Sequence, residues 1–491
     1  MNKLFLTVLA SLVFLLCGCS TIVNAHLQKK DMMTAYETGN NQAALTTVNK
    51  KLASSGWGSV VNTGDEIHWR LEAGALNFHL GNFEQAVKHF SITERLIKEY
   101  DDRAVISARD AAAEAGAALT NLNALPYRGL CRDRIALCFY QSLAYLGCGK
   151  QDSFRVQIKR LRNAQNQVLQ DYRKFFEQEK AEIAAARKKN PGAAKKADKT
   201  SESDLTGNPQ NAEFSEGLQN VRKIANKGYG NFLNPAAIFL SGLSSLRDGD
   251  YENARIDFKR LYEAMPGNPL ARQYYATVLR KTGRPLPPAL RRVPSFNFPL
   301  ERDCVFVISA LGKTAAFKQI SVYFPVMTAW PMCEFYDPPF RKMTVTAGSK
   351  TLPAYILADM DGIIAQEFNE RLPMMITRIV ISTAIKEAAK YAGTYAASRE
   401  NALAGAAVYI GSSIYTAMMN TADTRSWEIL PKEFHLTQLP LPADRKLKIT
   451  LSGREEALRE IELPENCRSA VVFVNAPGSA NIACHVLPLI Q

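Results

Sequence analysis

Through the first 290 residues the apolar positions recur at helical spacing, and three times the recurrence falls in one frame. Gly39-Asn40-Asn41-Gln42-Ala43-Ala44-Leu45 leads to Val48, Gly81-Asn82-Phe83-Glu84-Gln85-Ala86-Val87 to Phe90, and Gly249-Asp250-Tyr251-Glu252-Asn253-Ala254-Arg255 to Phe258. Each reads Gly-x4-Ala-x3-apolar. A glycine suits the turn between two antiparallel helices. The small alanine lets the helices approach, and the larger residue four positions on shares its face and fills the groove. Gly74 and Gly242 stand seven residues before Gly81 and Gly249, inside the preceding helices. A degenerate copy spans residues 134–161, with Gly149 as its turn and no alanine in place; its second helix runs on to about Lys189. Residues 190–212, with Pro, Gly, Lys and Ser, predict a flexible basic linker. Helices resume from Glu216.

Beyond Pro285-Leu286-Pro287-Pro288 the period changes from helix to strand. Short β-type runs occupy residues 304–308, 320–324, 343–346, 447–451, 470–474 and 482–487. Helical stretches are expected at 359–398 and 401–420. The fold class is therefore α+β: helical repeats at 20–189 and 213–284, then a β-rich domain at 295–491 with inserted helices, such as a β-sandwich with a helical excursion.

The glycine–alanine frames resemble the second halves of tetratricopeptide (TPR) repeats. The resemblance implies stacked helix pairs with a concave surface that holds a protein segment. Asn77, Asn82 and Tyr251 are the candidate partner-binding residues.

The N-terminus supplies an address. Lys3 precedes an apolar run from Leu4 to Leu16, the form of a signal peptide. Leu16-Cys17-Gly18-Cys19-Ser20 resembles the lipobox of bacterial lipoproteins. That resemblance implies a lipoprotein signal segment at 1–19, cut before Cys19, which stays as the first mature residue and carries a diacylglyceryl thioether and an N-acyl group. Several chains on one residue hold a membrane firmly. Ser20, where Asp would mark inner-membrane retention, points to the outer membrane, with the chain facing the periplasm.

Charge narrows the partners. The net charge is +13, and residues 155–199 hold thirteen Lys or Arg against five Asp or Glu. An exported chain does not meet nucleic acid, so anionic lipid or cell-wall polymer is the expected acidic contact, beside the plain alternative of a solvated helix face.

Catalytic chemistry finds little support. Gly312-Lys313-Thr314 ends like a phosphate-binding loop, but Val307 stands where its first glycine is required, so a β-turn is expected. His26, His68, His79, His89, His435 and His485 make no metal motif, no GxSxG occurs, and neither a metal nor a cofactor is implied. Cys467 and Cys484 flank an expected hairpin and are a candidate disulfide. Residues 402–419 are uncharged but rich in Gly, Ala and Ser, which suits a buried helix or a subunit contact better than a membrane span.

Two further motifs are specific: Tyr229-Gly230-Asn231-Phe232-Leu233-Asn234-Pro235, and Ala422-Asp423-Thr424-Arg425-Ser426-Trp427 followed by Leu430-Pro431. Together they resemble an uncharacterised family of bacterial TPR-containing envelope lipoproteins, which supplies no catalytic residues. In the second motif Asp423 or Thr424 is expected to cap a turn, with Arg425 and Trp427 anchoring the return from helix to strand; a ligand contact is the alternative role. The expected function is a lipid-anchored, non-catalytic envelope scaffold binding another protein. The alternatives are an envelope enzyme acting on glycan or lipid from its C-terminal domain, and an accessory of a secretion or transport assembly.

Overall fold

The computed structural model describes residues 28–53, 58–107, 127, 129–230, 232–295, 303–324, 326–399, 402, 404–406, 408–409 and 422–490. The leader, Cys19 and most of 402–419 lie outside the described residues. Helices come first: α1 (Lys30–Glu37), α2 (Asn41–Lys51), α3 (Glu66–His79), α4 (Phe83–Ser107), α5 (Cys131–Gly147), α6 (Gln151–Lys189), α7 (Pro191–Asp198), α8 (Glu202–Thr206), α9 (Ala212–Ala225), α10 (Pro235–Arg247), α11 (Tyr251–Ala264) and α12 (Pro269–Lys281). A β-rich region follows, interrupted by α13 (Met360–Ser398). The protein is a mixed α+β structure.

Five helices end in the same way. Gly39, Gly81, Gly149, Gly249 and Gly283 each take a positive φ, between +63° and +85°. The next residue's N–H then reaches back across the turn: Asn40 to the Ala35 carbonyl, Asn82 to Asn77, Lys150 to Tyr145, Asp250 to Ser245 and Arg284 to Leu279, at 2.8–2.9 Å. This Schellman closure satisfies carbonyls that a helix end leaves open, and glycine adopts it without steric cost. After four of these turns the chain doubles back as α2, α4, α6 or α11. The residues of the repeated frame pack as expected, with Ala44, Ala86, Ala254, Val48, Phe90 and Phe258 all fully buried. The upstream glycines have a steric reason too. A Cβ on Gly74 would lie 2.3 Å from the Phe90 ring, and one on Gly242 2.8 Å from the Phe258 ring.

The first helix of each pair forms an inner layer. α3 buries 13 of its 14 residues and α10 buries 12 of 13, whereas α11 buries only four of 14. A helix apolar on all sides needs cover on all sides. α4, α6 and α11 cover one side, and the other lies on a five-stranded sheet. Phe78 packs on Phe473, Phe139 on Phe434 and Phe239 on Phe306, with ring centroids 5.2–6.2 Å apart.

That sheet has the order β11-β10-β1-β7-β6. Its strands are β1 (Cys304–Leu311), β6 (Tyr355–Asp359), β7 (Glu433–Pro440), β10 (Ser469–Gly478) and β11 (Asn481–Ile490). β1 runs parallel to β10, and the other neighbours are antiparallel. Both faces are buried, so strand alternation sorts two cores. Cys304, Phe306, Ile308 and Ala310 face the helices, while Val305, Val307 and Leu311 face a second sheet. The second sheet, β5-β4-β8-β9, comprises β4 (Phe340–Ala347), β5 (Lys350–Pro353), β8 (Lys446–Gly453) and β9 (Glu456–Glu462). A ribbon of β2 (Ala316–Tyr323) and β3 (Met327–Glu334) packs on α9 and α13 through Trp330, Met332, Phe214 and Phe368.

Three expectations are corrected. Residues 190–212, expected as a flexible basic linker, instead form the helices α7 and α8 plus a short 3-10 turn, with Ala193, Ala197 and Leu205 buried. The repeats at 20–189 and 213–284 are not separate from residues 295–491, because one hydrophobic core runs through both. Cys467 and Cys484 are free thiols. Cys484 pairs with Val474 in the hairpin, whereas Cys467 lies past its open end with its sulfur near the Ser469 carbonyl.

Candidate functional site

The motif ending at Trp427 is a strap across the helical layer. Arg425 is buried; its Nε and one terminal nitrogen each donate to Asp423 at 2.8 Å, and the other donates to Asp65 at 3.0 Å. Burial alone would raise the Asp423 carboxyl, but the Arg425 charge and its hydrogen bonds bring it below the usual range. Trp427 sits against Tyr140 and Phe90, at 5.7 and 6.1 Å between centroids. Beneath the strap, fully buried Lys29 donates to Glu72 at 2.6 Å and to the Ser426 carbonyl at 2.5 Å. Glu72 also accepts the backbone N–H groups of Glu428 and Ile429. Burial raises the Glu72 carboxyl, with Lys29 opposing. These polar atoms are occupied in joining α3 to the chain that enters β7.

A second buried network joins α5, α6 and α13. Arg132 donates to Glu367 at 2.9 Å, Glu179 takes Arg371 and Arg378 at 3.4 Å each, and Arg378 reaches Glu182 at 3.2 Å. Asp361 is shared between Lys432 and the Ala315 N–H. Burial raises the Asp361 carboxyl, and Lys432 works against that shift. Charges removed from water need such partners. Among the described residues no cluster of His, Cys, Asp and Glu is arranged to hold a metal ion.

The candidate partner-binding residues do not form one surface. Asn77 is buried and donates to the Ala73 carbonyl at 2.8 Å. Asn82 is exposed in the α3–α4 turn. Tyr251 opens α11 in another hairpin, with Lys281 Nζ 4.7 Å from its ring centre. The inner face of the helical layer, where a concave surface was expected, is filled by the chain's own sheet. Lys313 of the loop-like motif pairs with Glu37, and Gly312 makes the turn at φ +68°.

The motif around Tyr229 instead shapes a cleft. Asn234 caps α10, accepting from Ala236 and Ala237, and its own N–H donates to Gln165 Oε1 at 3.0 Å. Phe232, at φ +54°, packs on Tyr172 with centroids 4.2 Å apart. Tyr229 Oη accepts the Asp359 N–H at 2.8 Å, and burial keeps the phenol protonated well above its usual range. Between this loop, α6 and α11 lies a cavity of about 320 Å³, lined by Gln165, Asn166, Val168, Leu169, Tyr229, Leu233, Arg260, Glu263 and Ala264. Arg260 donates to Asn166 Oδ1 and to the Gln165 carbonyl. It has no carboxylate within 4 Å among the described residues, so part of its five-donor fork stays free. Burial lowers its pKa. Gln165 Nε2 is buried without an acceptor among the described residues. The cleft thus combines an apolar wall with unspent donors, the composition of a recognition pocket. Neither Gln165 nor Arg260 stands out in the sequence; their nearness depends on how two hairpins about 95 residues apart stack. No protein family, curated protein or solved structure matches this chain.

Proposed function

We propose that this protein is a lipid-anchored scaffold of the bacterial outer membrane, facing the periplasm, whose TPR-like helical array binds a segment of another envelope protein in the cleft between α6 and α11. The observation that supports this reading is the position of the cleft. The inner face of the array is packed on the protein's own sheet, and the cleft opens between the outer helices with donors left over. The enzyme alternative finds no comparable support. Of the shifted carboxylates described in the C-terminal half, Asp361, Asp423 and Glu433 are each held by a basic side chain, Lys432, Arg425 and His435, and Glu370 accepts from the Gln366 amide. The test is photocrosslinking in cells from position 166 on the cleft rim, with position 82 as an exposed control. One protein adduct is expected from position 166 alone, and Arg260→Gln should weaken it. Equal adducts at both positions, or an adduct indifferent to Arg260→Gln, would remove the cleft from the proposal.

A further inference from the structure

The far end of α13 carries a surface that a water-facing helix does not ordinarily present. Up to Thr383 the helix is largely buried, and Ala384 and Ile385 still touch the core around α7 and α9. Beyond them the exposed positions between 388 and 396 are Ala388, Ala389, Tyr391, Ala392, Tyr395 and Ala396. None is charged. Tyr391 and Tyr395 are 64% and 70% exposed, and four residues apart they stand on one side of the helix. A solvated helix face is normally polar, so this stripe lacks the groups that would suit it to water.

The base of the same arm is strongly basic. α6 and α13 run in the same direction, held by Glu179 to Arg371 and Arg378 and by Glu182 to Arg378. At 1.5 Å per residue, the end of α6 at Lys189 falls level with about residue 385 of α13, and Tyr391 and Tyr395 project roughly 9 and 15 Å further. Here α6 turns into α7, whose Ala193 and Ala197 share a core with Ile376, Ile379 and Val380 of α13. From 184 to 200 the chain carries Arg187, Lys188, Lys189, Lys195, Lys196 and Lys199 against Asp198 alone, which pairs with Arg187. The last turn of α6 accounts for three of these cations, since a helix C-terminus favours positive charge. Lys195 and Lys196 lie in the last turn of α7 and Lys199 caps it, so two helix C-termini gather their cations at one turn; neither these three nor Lys188 has an ion-pair partner among the described residues.

From this juxtaposition we infer that the outer end of α13 and the lysine collar at the α6–α7 turn together dock on an anionic lipid surface. Tyrosine favours the membrane–water boundary, where its ring enters the apolar side and its hydroxyl stays wet. Each lysine beside an anionic surface adds attraction that decays within a Debye length. The two features supply the two halves of interfacial binding, with the lysines at the base of the arm, the tyrosines further out along it and the exposed Arg399 closing the helix. The inference does not depend on the cleft.

The full chain, reconstituted in vesicles and carrying an environment-sensitive fluorescent amino acid in place of Tyr395, tests this directly. On phosphatidylglycerol vesicles the emission should shift to the blue and resist an aqueous quencher. Neutral phosphatidylcholine vesicles should give no shift, and about 0.5 M salt should abolish it. Lys188→Glu with Lys195→Glu and Lys196→Glu should weaken docking on the order of a hundredfold or more, while the unfolding midpoint stays in place because these side chains are exposed. The same emission on both lipids, a shift that survives the charge reversals, or a shift that needs only higher protein concentration or added cell-wall polymer would overturn the inference.

Discussion

The seam between the inner helices and the five-stranded sheet and the outer end of α13 are opposites built from similar residues. Both are rich in tyrosine and alanine. In the seam, Tyr140 is 1% exposed and touches Phe78, His79, Phe139, Trp427, Phe434 and Phe473. At the arm, Tyr391 is 64% exposed. Residue type therefore does not set the role of an aromatic here; the presence of a second layer does. The seam is where stability resides, and the arm is where surface remains to be used.

The largest expected effect lies in the seam. Tyr140→Ala should destabilise the fold by about 3–5 kcal/mol, as loss of a buried aromatic does when its cavity cannot collapse. Tyr140→Phe sharpens the test. The Tyr140 hydroxyl is buried and has no hydrogen-bond partner among the described residues, so its removal should be neutral or stabilising. Denaturant midpoints of the two variants should move in opposite directions or by very different amounts. A loss in Tyr140→Phe of more than about 1 kcal/mol would reveal a partner for that oxygen.

Next comes the strap. Arg425→Ala leaves Asp423 and Asp65 facing one another's charge without their shared cation; breaking a fully buried pair from one side costs about 3–5 kcal/mol, and because these carboxylates are 35% and 27% exposed the loss here should be about 1–3 kcal/mol. Arg425→Lys should recover only part of this, because an ammonium does not make the two parallel bonds to Asp423 that guanidinium does. Thermal melts with both variants decide the point. Equal midpoints for Lys and Ala would mean that geometry, not charge, holds the strap.

Acid should loosen the same seam. His79 is held down to about 3, first by burial and then by His485; His68 and His485 are also lowered by burial. In the unfolded chain these rings titrate near 6.5. Between that value and the folded one, the unfolded chain binds more protons, so stability complete above about pH 6.5 falls as the pH drops. Each such ring steepens the fall by up to about 1.4 kcal/mol per pH unit. His79→Phe should flatten the profile between pH 6.5 and 4, read from unfolding midpoints across that range. An unchanged slope would assign the acid sensitivity elsewhere.

How much of this the sequence disclosed follows from range. The hairpin turns were legible because a Gly-x4-Ala-x3-apolar frame is local, and the helix expected at 359–398 matches α13 to within a residue; in the structure Asp359 caps it, accepting from Gly362. Strands β3, β5, β6, β7 and β9 went unread. β7 (Glu433–Pro440) carries His435 and Gln438 on a strand buried between two neighbours, so its polar letters hid a central position. The 190–212 segment misled through composition: Pro191 opens α7 as a first-turn residue, where proline is tolerated. The Arg132–Glu367 pair spans 235 positions, and nothing local to either residue announces the other. The cleft was half legible, since the motif around Tyr229 was singled out but its partners on α6 and α11 were not.

The smallest expected effect returns to the arm. Tyr391→Ser combined with Tyr395→Ser removes two large side chains, yet each buries little against the body. Surface substitutions away from caps, ion pairs and cores usually stay within about 0.5 kcal/mol, and the double variant should fall there. In the seam one tyrosine should cost several times more than these two together. The comparison is sharpened by measuring denaturant midpoint and slope for both variants in the same buffer without lipid. A loss above about 1 kcal/mol for the arm variant would mean that its tyrosines are packed in solution. The stripe would then belong to the core and no longer stand as a surface awaiting a membrane.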